Sequence, residues 1–135
     1  MIACLAIPGL ELKAALRRTG PQLAAIDSAL ARIDEAVAAG RDGVAEDVAF
    51  HREIANATGN PYFLKTLTFL NQYLEAGTLV TRGNEALRED FMRQVREEHS
   101  AIVEAIRAGD SATARDAAQT HLINAARRLA EAGIC

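Results

Sequence analysis

The sequence predicts an all-α fold: one domain over residues 1–135, built as an antiparallel helical bundle of about six helices. Hydrophobic residues make up 50% of the chain but aromatics only 4%, and Ala and Leu dominate. That composition favours packed helices over a sheet. Apolar residues also recur at steps of three and four, and short Gly- or Pro-containing breaks separate the periodic segments. Such short connections make successive helices antiparallel neighbours.

The first two predicted helices flank a break at Gly20-Pro21. A short helical piece covers residues 10–18, preceded by an irregular or truncated leading segment at residues 1–10. Pro21 suits the first turn of the second helix. This helix extends over residues 21–39 because its apolar positions keep the helical period, namely Leu23, Ile26, Leu30, Ile33 and Val37.

The third and fourth helices are predicted on either side of Gly59-Asn60-Pro61. The third spans residues 44–58, with Asp42 as a candidate N-cap. The fourth spans residues 61–82 and is apolar around much of its circumference, so we expect it to be central in the bundle. Gly77 is expected to weaken or bend it.

The last two helices follow a predicted break at Gly83-Asn84. The fifth spans residues 85–108 and ends at Gly109. Asp110 is then the expected N-cap of the sixth helix, residues 111–132. Each of these helices carries one apolar stripe that contains a histidine.

Charge and cysteine content exclude several classes of function. The formal net charge is −3, so this segment lacks the basic character of a direct DNA-binding surface. No window is long and apolar enough to predict a membrane helix. Cys4 and Cys135 show no disulfide framework or CxxC spacing, which favours a reducing, cytoplasmic setting.

All three histidines of the chain fall on the apolar sides of their predicted helices. Asp47 precedes His51 by one helical turn, and this spacing places both side chains on one face. A buried carboxylate loses its hydration, and a dication held with neutral imidazoles offsets that loss. The pattern therefore predicts one mononuclear metal site, with Asp47, His51, His99 and His121 as its ligands.

Other interpretations of these residues stay open. Each histidine can be an ordinary core residue bonded to a carbonyl, which leaves a plain helical interaction module. A metallo-enzyme, such as a hydrolase or lyase, is the second alternative, although Glu98 is only a weak candidate base. The sequence has no HExxH motif and no Glu three residues before a histidine. Nitrogen-rich ligation suits zinc, our first expectation, and also nickel, manganese, cobalt and iron.

Two segments carry a longer pattern: Asp47-x-x-Phe50-His51-x-x-Ile54-x-x-Ala57-x-Gly59-Asn60-Pro61 and Glu98-His99-x-x-Ile102-x-x-Ala105-Ile106-x-x-Gly109-Asp110. Together with residues 14–40, Ala114 and His121-Leu122, they resemble the C-terminal ligand-binding (FCD) domain of FadR-type regulators in the GntR family. The resemblance covers the chain from about residue 12 onward.

The resemblance implies a FadR-like antiparallel bundle that ligates a metal through the four residues named above. It also implies a small organic acid effector at or beside the metal, and a homodimer. In that family the effector changes DNA binding by an attached winged helix-turn-helix domain, so the implied role is transcription regulation and not catalysis. We expect this chain to lack that winged helix, and no Arg occurs before Arg17, where the family's first helix carries one.

Four further residues are candidates for the effector pocket. Asn124 lies one turn after His121 and is expected to face the same way. Arg82, Asn71 and Tyr73 belong to the fourth predicted helix, which is expected to line the cavity.

The remaining polar and exposed positions have simpler explanations. Glu97 and Glu98 are expected to be solvated, and the pair Arg127-Arg128 suits a helix C-terminus without any partner. Leu79 and Val80 are expected to lie outside the core, which gives weak support for a dimer.

Overall fold

A computed structural model describes residues 10–134, and these residues form seven helices joined by short loops. The order is α1 (Leu10–Arg17), α2 (Gly20–Ala38), α3 (Val44–Ala57), α4 (Pro61–Phe69), α5 (Asn71–Glu85), α6 (Glu89–Ala108) and α7 (Ser111–Glu131). No strand occurs in the described range, so the all-α helical bundle is confirmed. The expected leading segment before residue 10, and both cysteines, lie outside the described residues.

The core lies between α1, α2, α3, α6 and α7. Helix α1 packs against α3, α6 and α7, while α2 packs against α3. Fully buried side chains at the centre include Ile26, Ile54, Ile102 and Ile106, which belong to the predicted apolar stripes, and also Phe50. Within the described part of the chain, no helix is long and apolar enough to cross a membrane.

The predicted fourth helix is wrong in two respects. It is divided at Leu70 into α4 and α5. Thr66 and Thr68 each donate a hydroxyl hydrogen bond to the carbonyl four residues earlier, at 2.8 Å, and such bonds compete with the helical ladder and bend helices. The segment is also not central, because α4 buries only Leu67 whereas Phe69 is 81% exposed.

The predicted break at Gly83-Asn84 is also wrong. Helix α5 continues through both residues to Glu85, and α6 begins at Glu89. Asn84 is buried and its side-chain Nδ2 donates to the carbonyl of Arg128 at 3.1 Å. This contact between helices outweighs the weak local preference of Gly and Asn for a turn.

Side-chain hydrogen bonds cap the first turns of several helices. Asp110 accepts a hydrogen bond from the Thr113 amide at 3.0 Å, as predicted. The predicted N-cap Asp42 is wrong, because Gly43 occupies the N-cap position of α3 and no side chain caps this helix. Asp42 lies one residue earlier and accepts a hydrogen bond from the Val44 amide at 3.0 Å. At α2, Thr19 and Gln22 form a capping box, in which each side chain bonds to the other residue's backbone amide.

We predict that Thr19→Ala lowers the free energy of unfolding by about 1 kcal/mol, because the first turn of α2 loses its side-chain acceptor. Urea denaturation monitored by circular dichroism measures this change. Thr120→Ala is the matched control, because Thr120 is an exposed residue in the interior of α7. Equal losses in the two variants would show that the capping box contributes nothing.

Candidate metal centre

Three helices bring four potential ligands to one place inside the bundle. Asp47 and His51 lie one turn apart on α3, His99 lies on α6, and His121 lies on α7. All four residues are buried, with exposed fractions between 1% and 7%. Each of these residues therefore lies on the face of its helix that the fold buries, as the apolar pattern predicts.

The nitrogen atoms of the three imidazoles converge. One ring nitrogen from each histidine lies within 4.8 Å of those of the other two. Asp47 Oδ1 lies 3.3 Å from His51 Nε2 and 3.9 Å from His99 Nε2. Imidazole nitrogens bind zinc at about 2.0–2.1 Å, so nitrogens that share one ion lie within about 4 Å of one another, which is close to the separations of the three histidines.

The hydrogen bonding of the histidines fits a cation. Among the described residues, His51 Nδ1 and His99 Nε2 are buried without a hydrogen-bond partner. A buried polar atom with no partner costs free energy, and a metal ion satisfies a ring nitrogen as well as a donor does. Phe50 lies against both rings, at centroid distances of 5.1 and 5.0 Å, and limits the space around them.

The protonation states of the cluster also suit metal ligation. Burial lowers the pKa of His99 well below its usual value, so this imidazole is neutral. Burial alone would raise the pKa of Asp47, but the neighbouring His99, His51 and Arg82 lower it further than burial raises it. The cluster thus presents a carboxylate beside at least one neutral imidazole, which is the form in which these side chains bind metals.

Arg82 and Asn124, two of the four predicted pocket residues, lie beside the cluster. Arg82 Nη1 donates to Asp47 Oδ2 at 2.8 Å, while its Nε donates to the Asp42 carbonyl at 2.7 Å. Asn124 Nδ2 donates to Glu98 Oε1 at 2.9 Å. Arg82 therefore contacts one candidate metal ligand, Asp47. Asn124 contacts the carboxylate of Glu98, which bonds to another candidate ligand, His121.

Asn71 and Tyr73 lie elsewhere on α5. Asn71 Nδ2 donates to Glu75 at 2.6 Å, and Tyr73 is 60% exposed. A cavity of about 130 Å³ opens beside His99 and Arg82, and neither Asn71 nor Tyr73 lines it.

Glu98 is not solvated, contrary to the sequence-based expectation. Its side chain is 9% exposed, and its Oε2 lies 2.6 Å from His121 Nδ1. Burial favours the neutral form of Glu98, but hydrogen bonds from His121 and Arg128 outweigh it and lower the pKa to about 2. A carboxylate only accepts, so His121 Nδ1 carries the proton and His121 Nε2 is free to bind an ion. Glu97 remains exposed, as predicted.

Comparison with known proteins identifies the family. Residues 10–124 match the FCD domain, which is most of the chain. This chain belongs to the FCD domain family. The likeness to FadR-type GntR regulators inferred from the sequence motifs is thereby confirmed.

Similar proteins are regulators and not enzymes. The FCD domain is 33% identical over 109 residues to the HTH-type transcriptional repressor NanR of Cronobacter sakazakii, covering 81% of this chain and 41% of that protein. It is 36% identical over 76 residues to the putative L-lactate dehydrogenase operon regulatory protein of Escherichia coli K12, covering 56% of this chain and 30% of that protein. The chain thus spans less than half the length of these relatives.

The fold has a solved counterpart. The structure of Streptococcus agalactiae GntR superposes with a TM-score of 0.73 at 26% identity, covering 92% of this chain and 54% of that one. The overall arrangement of helices in this FCD domain is therefore shared with a GntR regulator.

Sequence reasoning missed a buried ion-pair network around the FCD domain's histidines. Arg128 was expected to need no partner, yet it is completely buried and contacts Glu85 and Glu98. Arg128 lies seven residues after His121, and this spacing on one helical stripe was the available signal. Glu11 on α1 was also missed: it is 3% exposed and its Oε1 has no partner among the described residues.

We predict that Glu85 makes stability fall with rising pH in metal-free protein. Burial raises the pKa of this carboxyl to about 7 from an ordinary 4.5, an effect that the nearby Arg128 only partly opposes. The folded state therefore holds a proton that the unfolded state has lost between these pH values. Relative to Glu85→Gln, wild-type stability should decrease by up to about 3 kcal/mol from pH 4.5 to pH 8.

Urea denaturation of wild type and Glu85→Gln at several pH values measures this difference. Glu75→Gln provides the control because Glu75 is exposed on the same helix. A wild-type-minus-variant difference that stays constant across the pH range, or grows, would contradict the prediction.

Proposed function

We propose that this FCD domain is the effector-sensing part of a GntR-type transcription regulator. It binds one divalent metal ion through Asp47, His51, His99 and His121, and a small organic acid binds at or beside that ion. The observation that carries the proposal is the convergence of three buried imidazole nitrogens within 4.8 Å of one another. Zinc is the first candidate, and nickel, manganese, cobalt and iron are alternatives.

The metal would supply a fixed positive charge and open coordination positions for a carboxylate. The protein's own residues do the rest. Arg82 holds Asp47 from the side opposite the histidines, and it also lines the adjacent cavity. Arg82 is therefore placed to contact both a ligand of the ion and an acid that enters the cavity.

The cavity supports an effector of limited size. An engineered cavity of about 150 Å³ holds a benzene molecule, so about 130 Å³ accommodates a molecule of comparable size. Its lining is mostly apolar, and its charged side chains are three arginines and three acids: Arg41, Arg82, Arg96, Asp34, Asp42 and Glu85. A short carboxylate with a small apolar body suits the size and the largely apolar lining of this cavity.

An effector can regulate only if it distinguishes two arrangements of the whole protein. We propose a homodimer, supported by the outer face of α5, where Leu79 and Val80 are 54% and 48% exposed. Contact with DNA would be made by a winged-helix domain outside this chain, since the domain itself carries a net charge of −3. Such a regulator would act in the cytoplasm.

We predict one tightly bound divalent ion per chain in protein purified without chelator, and a loss of that ion in His99→Ala. Elemental analysis measures the metal content of both proteins. Val95→Ala serves as the matched control, because Val95 is a buried residue one turn earlier on α6 and offers no ligand atom. Equal metal content in wild type and His99→Ala would remove His99 from the site.

Removal of the ion distinguishes the sensor from a plain interaction module. Treatment with EDTA should lower the melting temperature of the wild type, because an ion that binds only the folded state stabilises it. An unchanged melting temperature would favour a module whose histidines only pack.

We predict that a short carboxylate such as lactate or pyruvate raises the melting temperature saturably in metal-loaded protein and not after EDTA treatment. Arg82→Met should abolish this response in variant protein that elemental analysis shows to be metal-loaded, because the acid loses its cationic contact. Arg41→Met is the control: Arg41 lines the same cavity but pairs with Glu46. Turnover of the acid in place of saturable stabilisation would favour the metallo-enzyme alternative.

A further inference from the structure

Arg128 lies inside the bundle with no exposed surface. Its Nη1 donates to Glu98 Oε1 at 2.8 Å, and its Nη2 donates to Glu98 Oε2 at 3.0 Å. Its Nε lies 3.3 Å from Glu85 Oε1. A guanidinium that bonds both oxygens of one carboxylate fixes the plane of that carboxylate as well as its position.

Glu98 passes this constraint to His121. While both its oxygens bond to Arg128, Oε2 also accepts from His121 Nδ1 at 2.6 Å, and Oε1 accepts from Asn124 at 2.9 Å. The imidazole therefore has a fixed tautomer and a fixed ring orientation. Its other nitrogen, Nε2, is the atom left to face His51 and His99.

The arrangement is a poor source of stability for its own sake. A buried ion pair loses much of its Coulombic gain to desolvation, and apolar residues of similar volume often stabilise a core better. Here one buried guanidinium serves two buried carboxylates, and burial holds the pKa of one of them, Glu85, at about 7. Orientation of a neighbouring group explains this costly arrangement better than stabilisation does.

We propose that Arg128 is a positioning residue of the metal centre, which acts through Glu98 to hold His121 in the tautomer and orientation that bind an ion. The inference rests on the proposed metal binding by His121. Residues that orient a metal-ligating histidine typically change metal affinity by about 10- to 100-fold when they are replaced.

The test compares Zn²⁺ affinity in wild type, Arg128→Lys and Arg127→Lys by competition with a chromogenic chelator. Lysine keeps the charge but lacks the planar pair of donors with which Arg128 bonds each oxygen of Glu98 from a separate nitrogen. We expect the dissociation constant of Arg128→Lys to rise at least about 10-fold. The control, Arg127→Lys, makes the same chemical change at an exposed neighbour that contacts Gln94 and Glu131, and should bind Zn²⁺ as the wild type does.

A purely structural role would give a different result. Arg128→Lys would then lower the melting temperature of the metal-free protein while the folded variant bound Zn²⁺ with wild-type affinity, and that result would overturn the proposal. Glu98→Gln provides a second test that does not require Arg128→Lys to fold. If Glu98→Gln bound Zn²⁺ with wild-type affinity, Glu98 would not connect Arg128 to the ion-binding ability of His121, and the proposal would be overturned as well.

Nitrogen NMR of the imidazoles separates this inference from the proposed function. In metal-free wild type, His121 should be protonated at Nδ1, and Arg128→Lys should populate the other tautomer. If wild type binds no Zn²⁺, the proposed function fails, but the tautomer comparison still shows whether Arg128 orients His121. An unchanged tautomer in Arg128→Lys would refute the positioning role.

Discussion

Desolvation of a cluster of ionisable side chains is the constraint on which the rest of this structure depends. The bundle buries Asp47 and three histidines between α3, α6 and α7. A carboxylate in such a place is tolerated only with a compensating charge or donors, and Arg82 and the histidines supply them. The same constraint explains why Arg82, Arg128, Glu85 and Glu98 are paired and not solvated.

The fold class and the set of candidate ligands could be predicted from the sequence because both depend on the helical period. Residues that recur at steps of three and four must share a face, so the inward direction of His51, His99 and His121 follows from their apolar neighbours. A family pattern of the same residues then pointed to the FCD domain, and the match over residues 10–124 confirms it. The apolar pattern was sufficient wherever burial of one face of a helix decides the structure.

Errors arose where specific side-chain hydrogen bonds, and not the apolar pattern, decide the structure. The local sequence predicts a turn at Asn84, yet the hydrogen bond from its side chain to the Arg128 carbonyl keeps it in a helix. Glu98 resembles a solvated residue of α6 until α7 places His121 and Arg128 against it. The division at Leu70 depends on the hydroxyl bonds of Thr66 and Thr68, which periodicity does not detect. In each case the missing information is a partner 4 to 44 residues away in the chain.

Helix α5 contacts residues beside the histidine cluster at two points. Arg82 contacts Asp47, and Glu85, nearly one turn later, contacts the Arg128 that holds Glu98. Leu79 and Val80 lie on the outer surface of the same helix, less than one turn before Arg82. A helix moves as a stiff body, so a displacement of Arg82 or Glu85 would also shift this outer surface. Under the proposed function, occupancy of the metal centre would thereby change the shape of the bundle's exterior.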